Sequence, residues 1–375
     1  MIGRRIMQQP PSHIPLLDGL RAFAVTCVLT EHFGGMLAKV NSWGYYGVDL
    51  FFVLSGFLIT RILLAGTGRF GRDLRTFIGR RTLRIFPAYY LVVLLFWLTN
   101  YANTREVIFS LVTYTWNYAE SIQDKGRPFY LWSLCVEEQF YLVWPFLVLG
   151  LRSRPRLLAS VTLGLISLSY SQLIWDIIPA ISPYQYTGLP NRMGSLLLGA
   201  FATIVPVDRY LPQVWYRSRR LELLLLIALL WSTASLRFEF EVVPFHVAAY
   251  VVAGLCSLCL IMKCTHGSFA FPVVNTVLSH RITREVGKIS YGIYLLHFPV
   301  GNYFRNEIFG PIWHMIPFEM LGPLEKLRWH SWVLSFPLVC IVSFLVARLM
   351  WLGFEQPLLR LKDRWFPSHS APVSH

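Results

Sequence analysis

The sequence predicts an all-α, polytopic membrane protein of about ten transmembrane helices with both termini on the cytoplasmic side. Three observations carry that expectation. Of 375 residues, 55% are hydrophobic and only 14% charged, against roughly 25% charged in soluble domains. Apolar stretches of membrane-spanning length recur along the whole chain. The net charge of +14 is carried by short basic segments between those stretches, which is the pattern of the positive-inside rule. No nucleic-acid recognition motif accompanies that charge, so nucleic acid is not an expected partner; the lipid bilayer is.

The elements follow in order. Stretches at about 17–38, 46–65, 87–103, 131–151, 157–175, 192–206, 221–236, 244–262, 288–306 and 332–354 are read as spans, those at 192–206 and 221–236 being short. The stretch 106–119, ending in Tyr114-Thr115-Trp116-Asn117-Tyr118, is too short and too polar-aromatic for a crossing and reads as interfacial or re-entrant. With the N-terminus inside, ten crossings leave about 22 Lys and Arg on the cytoplasmic side and about 7 outside. An eleventh crossing at 106–119 would export Arg152, Arg154 and Arg156, which argues against it.

The polar, proline-containing start, Met1 to Pro15, has no signal-peptide pattern. Loops are short and no repeat or low-complexity tract is visible, so residues 1–375 are expected to form one domain with a core of about 14–362. Placement in the cell's inner (plasma) membrane as a multi-pass protein follows. The six cysteines lie in or beside apolar runs and read as packing residues rather than disulfides or ligands; no metal is expected.

Chemistry is suggested first by the opening span. Charged groups inside a membrane cost roughly 2.5–3.5 kcal/mol each on insertion scales, so they are usually functional and face the protein interior. Arg21 and His32 are eleven residues apart, about 1100° of helix, and so lie on one face about 16 Å apart along the axis. The topology puts His32 about 9 Å and Glu138 about 10 Å below the outer surface. Asp49 and Arg192 fall near the same level. These four groups, on separate spans, are expected to converge, with His32 as a general base oriented by Glu138 or Asp49. Of the neighbours Glu137 and Glu138, about 100° apart on a helix, at most one is expected to face the site. His297 is either a partner of the reacting groups or a packing residue; with Arg192 it is a candidate for holding an acceptor. At the inner end, Arg21, Arg80-Arg81-Thr82-Leu83-Arg84 and Ser290-Tyr291-Gly292 share a level. Guanidinium forks and hydroxyls suit phosphate groups, although a basic cluster there also serves topology alone.

Six segments in order carry a family resemblance: Leu17-Asp18-Gly19-Leu20-Arg21-Ala22 with His32; Gly44-Tyr45-Tyr46-Gly47-Val48-Asp49 through Ser55-Gly56-Phe57; Arg81-x-x-Arg84-Ile85-Phe86-Pro87-Ala88-Tyr89; Trp132-Ser133-Leu134-Cys135-Val136-Glu137-Glu138-Gln139-Phe140-Tyr141; Ser290-Tyr291-Gly292-Ile293-Tyr294-Leu295-Leu296-His297; and Glu355-Gln356-Pro357. The chain resembles the acyltransferase 3 family of integral membrane acyltransferases from about Ile14 to Lys362. Cys135 stands where small residues such as Ser are common. The resemblance implies a ten-helix core, an acyl group, usually acetyl, taken from cytoplasmic acyl-CoA, and an extracytoplasmic or lipid-linked glycan, or another small molecule, as acceptor. It implies His32 as the catalytic histidine, Arg21 as its motif partner, and Arg81, Arg84, Ser290 and Tyr291 as donor-binding residues. Longer members carry a C-terminal hydrolase-like domain; a stand-alone form is expected here, working beside glycan-biosynthesis machinery.

The expected reaction is attack of an acceptor hydroxyl on the acetyl-CoA thioester, either directly with His32 as base or through an acyl-histidine. The rival from another class is a proton-coupled carrier or flippase, in which the same groups relay protons; no repeated halves or matched broken spans point that way.

Overall fold

A computed structural model describes residues 14–35, 37–38, 43–119, 127–175, 186–205, 215, 217–237, 243–267, 269–315 and 334–367. Arg4, Arg5, Lys39, Lys125, Arg209, Lys326 and Arg328, which enter the charge balance above, lie outside the described residues. Every regular element among the described residues is helical. The described part of each of the ten apolar stretches lies mainly on a helix, and five helices are long and apolar enough to cross a membrane: Trp43–Leu64, Phe70–Thr99, Phe129–Leu151, Val247–Thr265 and Phe336–Lys362.

The first helix, α1 (Pro15–Phe33), has proline in its opening turn, where no N–H is needed. It carries Asp18, Arg21, Glu31 and His32 within 19 residues, and it keeps these in the protein by burying Leu17, Leu20, Ala24, Val25 and Val28. The helix α2 (Trp43–Leu64) is the hub and packs on α1, on α5 (Trp132–Leu151), on α7 (Leu189–Ile204) and on α9 (Val243–Thr265). Its contact with α7 is the closest. A Cβ at Gly56 would strike Leu196 O, and one at Gly199 would strike Val53 O. Small residues let two helices meet backbone to backbone, which drives packing where lipid removes the hydrophobic incentive.

The 30-residue α3 (Phe70–Thr99) carries Arg80, Arg81 and Arg84 in its first half and stops at Asn100, left-handed at φ 51°. The chain then folds back as α4 (Thr104–Val112) and one 3-10 turn, Trp116–Tyr118. This is the stretch read as interfacial or re-entrant. It is tied down by Tyr89 Oη donating to Leu111 O (2.9 Å) and by Gln139 on α5, whose Nε2 donates to Tyr114 O (2.7 Å) and Asn117 Oδ1 (2.8 Å).

The helices α6 (Pro155–Trp175) and α8 (Arg219–Arg237) flank α7 and α9. After α9 come two short helices, α10 (Pro272–Ser279) and α11 (Arg281–Lys288), which pack on α1. Then α12 (Ser290–Tyr303) continues through a π-helical turn, Phe304–Phe309, into α13 (Gly310–Met315). Finally, α14 (Phe336–Met350), a second π-helical turn Trp351–Glu355 and α15 (Gln356–Trp365) bring the chain back to α3.

Candidate active site

Five helices line a partly open cavity of about 100 Å³. Arg21 comes from α1; Val48, Phe51, Phe52 and Ser55, spaced as one helical face, from α2; Arg81 and Arg84, one turn apart, from α3. The fifth helix, α5, adds Ser133, Leu134, Glu137, Glu138 and Tyr141, and α12 adds Ser290, Tyr291 and Tyr294. Both glutamates line the cavity. The expectation that only one would do so is corrected: the α5 residues form two adjoining rows along a wedge between neighbouring helices, so side chains 100° apart reach its two sides.

The polar lining is internally organised. Glu137 accepts from Ser55 Oγ (2.8 Å) and Tyr141 Oη (3.1 Å). The Arg81 guanidinium lies 4.8 Å from the centre of the Tyr141 ring, and Arg21 Nη1 is 3.5 Å from Asp18 Oδ1. Arg80 turns the other way and donates to Phe366 O at the end of α15. The Arg80–Arg84 cluster is therefore divided, one member for packing and two for the cavity. Tyr291 Oη donates to Ile85 O (3.1 Å), locking α12 to α3 beside Arg84.

His32 lies beyond this lining, beside α12. Its Nδ1 is 2.8 Å from His297 Nε2, and His297 Nδ1 is 2.7 Å from Tyr294 O. His297 is fully buried. Phe129 and Phe298 approach the His32 ring edge-on at 5.7 and 5.4 Å. The expected orienting carboxylates are not its partners: the group that meets His32 is another imidazole. The reason is rotational position. Asp49 lies one residue past Val48 on α2, so it leaves the cavity face and points to α7 with Val53 and Gly56. There Asp49 Oδ1 accepts from Arg192 Nη2 (2.7 Å) and Ser195 Oγ (2.9 Å). The Arg192 guanidinium is covered by the rings of Tyr250, Tyr186, Phe52 and Trp132. The four groups expected to converge are thus split three ways: His32 with His297, Glu138 with the arginine cavity, and Asp49 with Arg192 behind Phe52.

The two centres are joined by one turn of chain. Pro299 has no N–H to give to Leu295 O, four residues back in α12. Tyr130 Oη takes that place at 2.8 Å, and Tyr294 Oη donates to Tyr130 O at 2.7 Å. Ser133 Oγ, at 2.6 Å from the same Tyr294 hydroxyl, completes the link to the cavity wall. Tyr294 therefore faces the cavity with its ring while its carbonyl holds His297.

Comparison with known proteins bears on this arrangement. A family model described as an acyltransferase domain, that of the acyltransferase 3 family, matches residues 14–350. The chain belongs to that family. Among its relatives, YrhL of Bacillus subtilis, provisionally named a peptidoglycan O-acetyltransferase, is 33% identical, covering 96% of this chain and 57% of YrhL. The peptidoglycan O-acetyltransferase OatA of Listeria monocytogenes is 31% identical over 79% of this chain and 51% of that protein. The O-acetyltransferase OatA of Staphylococcus aureus is 30% identical over 77% and 51%. The chain spans about half the length of the curated relatives it matches. No solved structure matches it.

This acyltransferase 3 chain is a membrane protein, and several of its cavity residues went unnoticed in the sequence. Ser55, Ser133, Tyr141 and Tyr294 sit inside the family segments but carry no charge to set them apart. Outside the cavity lining, Glu355, named above only as part of a family segment, is buried with Oε1 lacking a hydrogen-bond partner among the described residues, and a Cβ at Gly292 would sit 3.0 Å from that atom. The residues were in view, but that Glu355 would meet Gly292 across two helices could not be read from the sequence. Among the described residues no group of His, Cys, Asp or Glu is arranged to hold a metal.

Proposed function

We propose that the chain is an O-acetyltransferase that takes an acetyl group from cytoplasmic acetyl-CoA and esterifies a hydroxyl of an extracytoplasmic or lipid-linked glycan. The names of the relatives make peptidoglycan the first acceptor to test. In this reading the chain has ten crossings of the plasma membrane with both termini inside, which brings Arg21, Arg81 and Arg84 to the cytoplasmic end.

One observation carries the reading. Three guanidinium groups converge on a single cavity, and one of the helices that supplies them, α1, ends at a histidine hydrogen-bonded in the protein interior. Guanidinium groups recognise phosphate oxygens in forked geometry, and an imidazole held by a second group is the usual form of a general base. Ser290 and Tyr291 border the same cavity and add hydroxyls for the donor's polar arm. Its volume, about 100 Å³, falls below the roughly 300–1,000 Å³ of ligand pockets. It accommodates the slender end of a pantetheine chain while the nucleotide stays at the mouth. Passage to His32 requires Tyr294 and Ser133 to move apart.

At His32 the acceptor O–H gives its proton to the imidazole as its oxygen attacks the thioester carbonyl carbon. The C–S bond then breaks, and the departing thiolate recovers that proton as CoA–SH. Glu138 and Glu137 face the cavity, where they balance the guanidinium charge before and after the donor is bound. Asp49 and Arg192 are a neutralised pair bracing the wall behind Phe52, and contact with the acceptor there would need that pair to open.

The test is purified protein with acetyl-CoA and a soluble muropeptide, read by mass spectrometry of the sugar. The wild type is expected to add one acetyl mass, and His32→Ala to lose 10²–10⁴-fold in rate, roughly the contribution of a positioned base. Equal acetylation by the variant would remove His32 from the reaction. A carrier is the reading to adopt if muropeptide crosses a sealed vesicle with no CoA released.

A further inference from the structure

We infer that His297 is the positioning residue of the reaction: it fixes the tautomer of His32, so that Nδ1 carries the proton and Nε2 is the basic nitrogen. The inference rests on the function proposed above and adds to it which atom of His32 does the chemistry and what makes it do so.

Tyr294 O only accepts hydrogen bonds, so the His297 Nδ1 lying 2.7 Å from it must carry a proton. A neutral imidazole has one N–H, so His297 Nε2 is left with a lone pair. That lone pair lies 2.8 Å from His32 Nδ1; two facing lone pairs would repel, so Nδ1 of His32 is the donor. The one remaining nitrogen of His32, Nε2, then holds the ring's basic lone pair.

Ring geometry supports a directed bond. The two ring planes differ by 10° and their centres are 5.0 Å apart. That separation is the 2.8 Å contact plus each ring's own radius laid along one line. The imidazoles therefore meet edge to edge in nearly one plane, with the hydrogen on the axis between the nitrogens, rather than stacking face to face. Linear N–H···N geometry is the strongest arrangement and leaves the His32 ring little freedom to flip.

The tautomer is anchored in turn by the fold. Tyr294 is held by its hydroxyl, which donates to Tyr130 O, and Tyr130 is held by Leu295 O, the carbonyl that Pro299 leaves open. His297 has no exposed surface and packs against the Tyr130 ring at 5.1 Å. When His32 Nε2 takes the acceptor proton, the resulting imidazolium keeps its Nδ1–H on a lone pair already in place. A neutral imidazole gives this orientation without burying a second formal charge, which a carboxylate in the same place would do. The proton then leaves from Nε2 to the thiolate, and His297 ends the cycle unchanged.

The experiment compares wild type with His297→Leu and His297→Gln in the full chain in detergent. Gln offers a side-chain oxygen as acceptor at a reach comparable to Nε2; Leu offers none. Nitrogen-15 NMR of labelled histidine is expected to find His32 as the Nδ1–H tautomer in the wild type and in the Gln variant, and as a tautomer mixture in the Leu variant. With acetyl-CoA and a muropeptide, kcat is expected to fall on the order of 10²-fold or more in the Leu variant, with KM for acetyl-CoA nearly constant, and to be largely restored by Gln. Unchanged His32 resonances in His297→Leu would overturn the inference. So would a loss confined to KM, or equal kcat losses with Leu and Gln in proteins that elute and melt like the wild type. Inactivity of the wild type toward acetyl-CoA would count against the proposed function alone, because the tautomer readout needs no turnover.

Discussion

Arg81 and Arg84 differ from their neighbour Arg80 in where their charge goes, and the difference sets what each substitution does. Arg80 is committed to the carbonyl of Phe366, whereas the other two face the cavity with Arg21. In the proposed reaction they hold donor phosphates. Arg81→Ala or Arg84→Ala is then expected to raise KM for acetyl-CoA by about tenfold or more, since a charge-assisted hydrogen bond contributes roughly 1.5–3 kcal/mol. Initial-rate measurements against acetyl-CoA check this; KM unchanged in both variants would move the donor elsewhere. At this scale the sequence was most readable where a charge stands in an apolar run, as with Arg21, His32 and Glu138. It was least readable for partner choice. Asp49 and Glu138 were legible as carboxylates within apolar runs, and the structure buries the first and sets the second on the cavity wall. Which of them met His32 depended on helix rotations of one residue, and neither does.

The elements hold the site through a small number of backbone contacts. Tyr130 joins the turn before α5 to α12 at the carbonyl vacated by Pro299. Tyr130→Phe keeps the ring and removes the donor, leaving Leu295 O buried without it. The expected cost is about 1–3 kcal/mol, read as a lower melting temperature in detergent, together with slower turnover as Tyr294 and His297 loosen. A melting temperature equal to the wild type would show that the turn is held by packing alone.

A second joint lies between α11 and α14, where Glu285 accepts from Lys288 Nζ (2.7 Å) and Arg348 Nη1 (2.8 Å). Arg348 is thus part of a clamp. The Lys288 hydrogen bond, followed by that from Arg348, holds the Glu285 carboxyl below the usual carboxylate range. A lowered folded-state value means the clamp stabilises fully above the unfolded carboxylate pKa, about 4.3, and is lost as pH falls through the lower folded value. Glu285→Gln should therefore melt slightly below wild type at neutral pH, by no more than about 1 kcal/mol for so exposed a pair. The gap should close on acidification. A gap that persists at low pH would assign the effect to packing.

For the whole molecule, the helical class was legible because long hydrophobic runs favour helices: the described part of each apolar stretch lies mainly on a helix, and five helices are long and apolar enough to cross a membrane. What periodicity could not give is how those helices turn toward one another. The hub position of α2 depends on Gly56 and Gly199 meeting opposite backbones, and a glycine in an apolar run does not say which helix it will admit. The same rotations divide the ionisable groups into an arginine cavity, a histidine pair and a buried Asp49–Arg192 pair. If the cavity takes donor from one side and His32 serves acceptor from the other, the molecule is a conduit in which only the acetyl group need pass.

The most direct test uses sealed proteoliposomes with the chain inserted in one orientation, isotope-labelled acetyl-CoA supplied only on the Arg81 side and muropeptide only on the other. Labelled acetyl ester on the enclosed sugar, with CoA retained on its own side and the signal abolished by His32→Ala, is the predicted result. Ester formed only when both substrates share one compartment, or formed equally by His32→Ala, would contradict it.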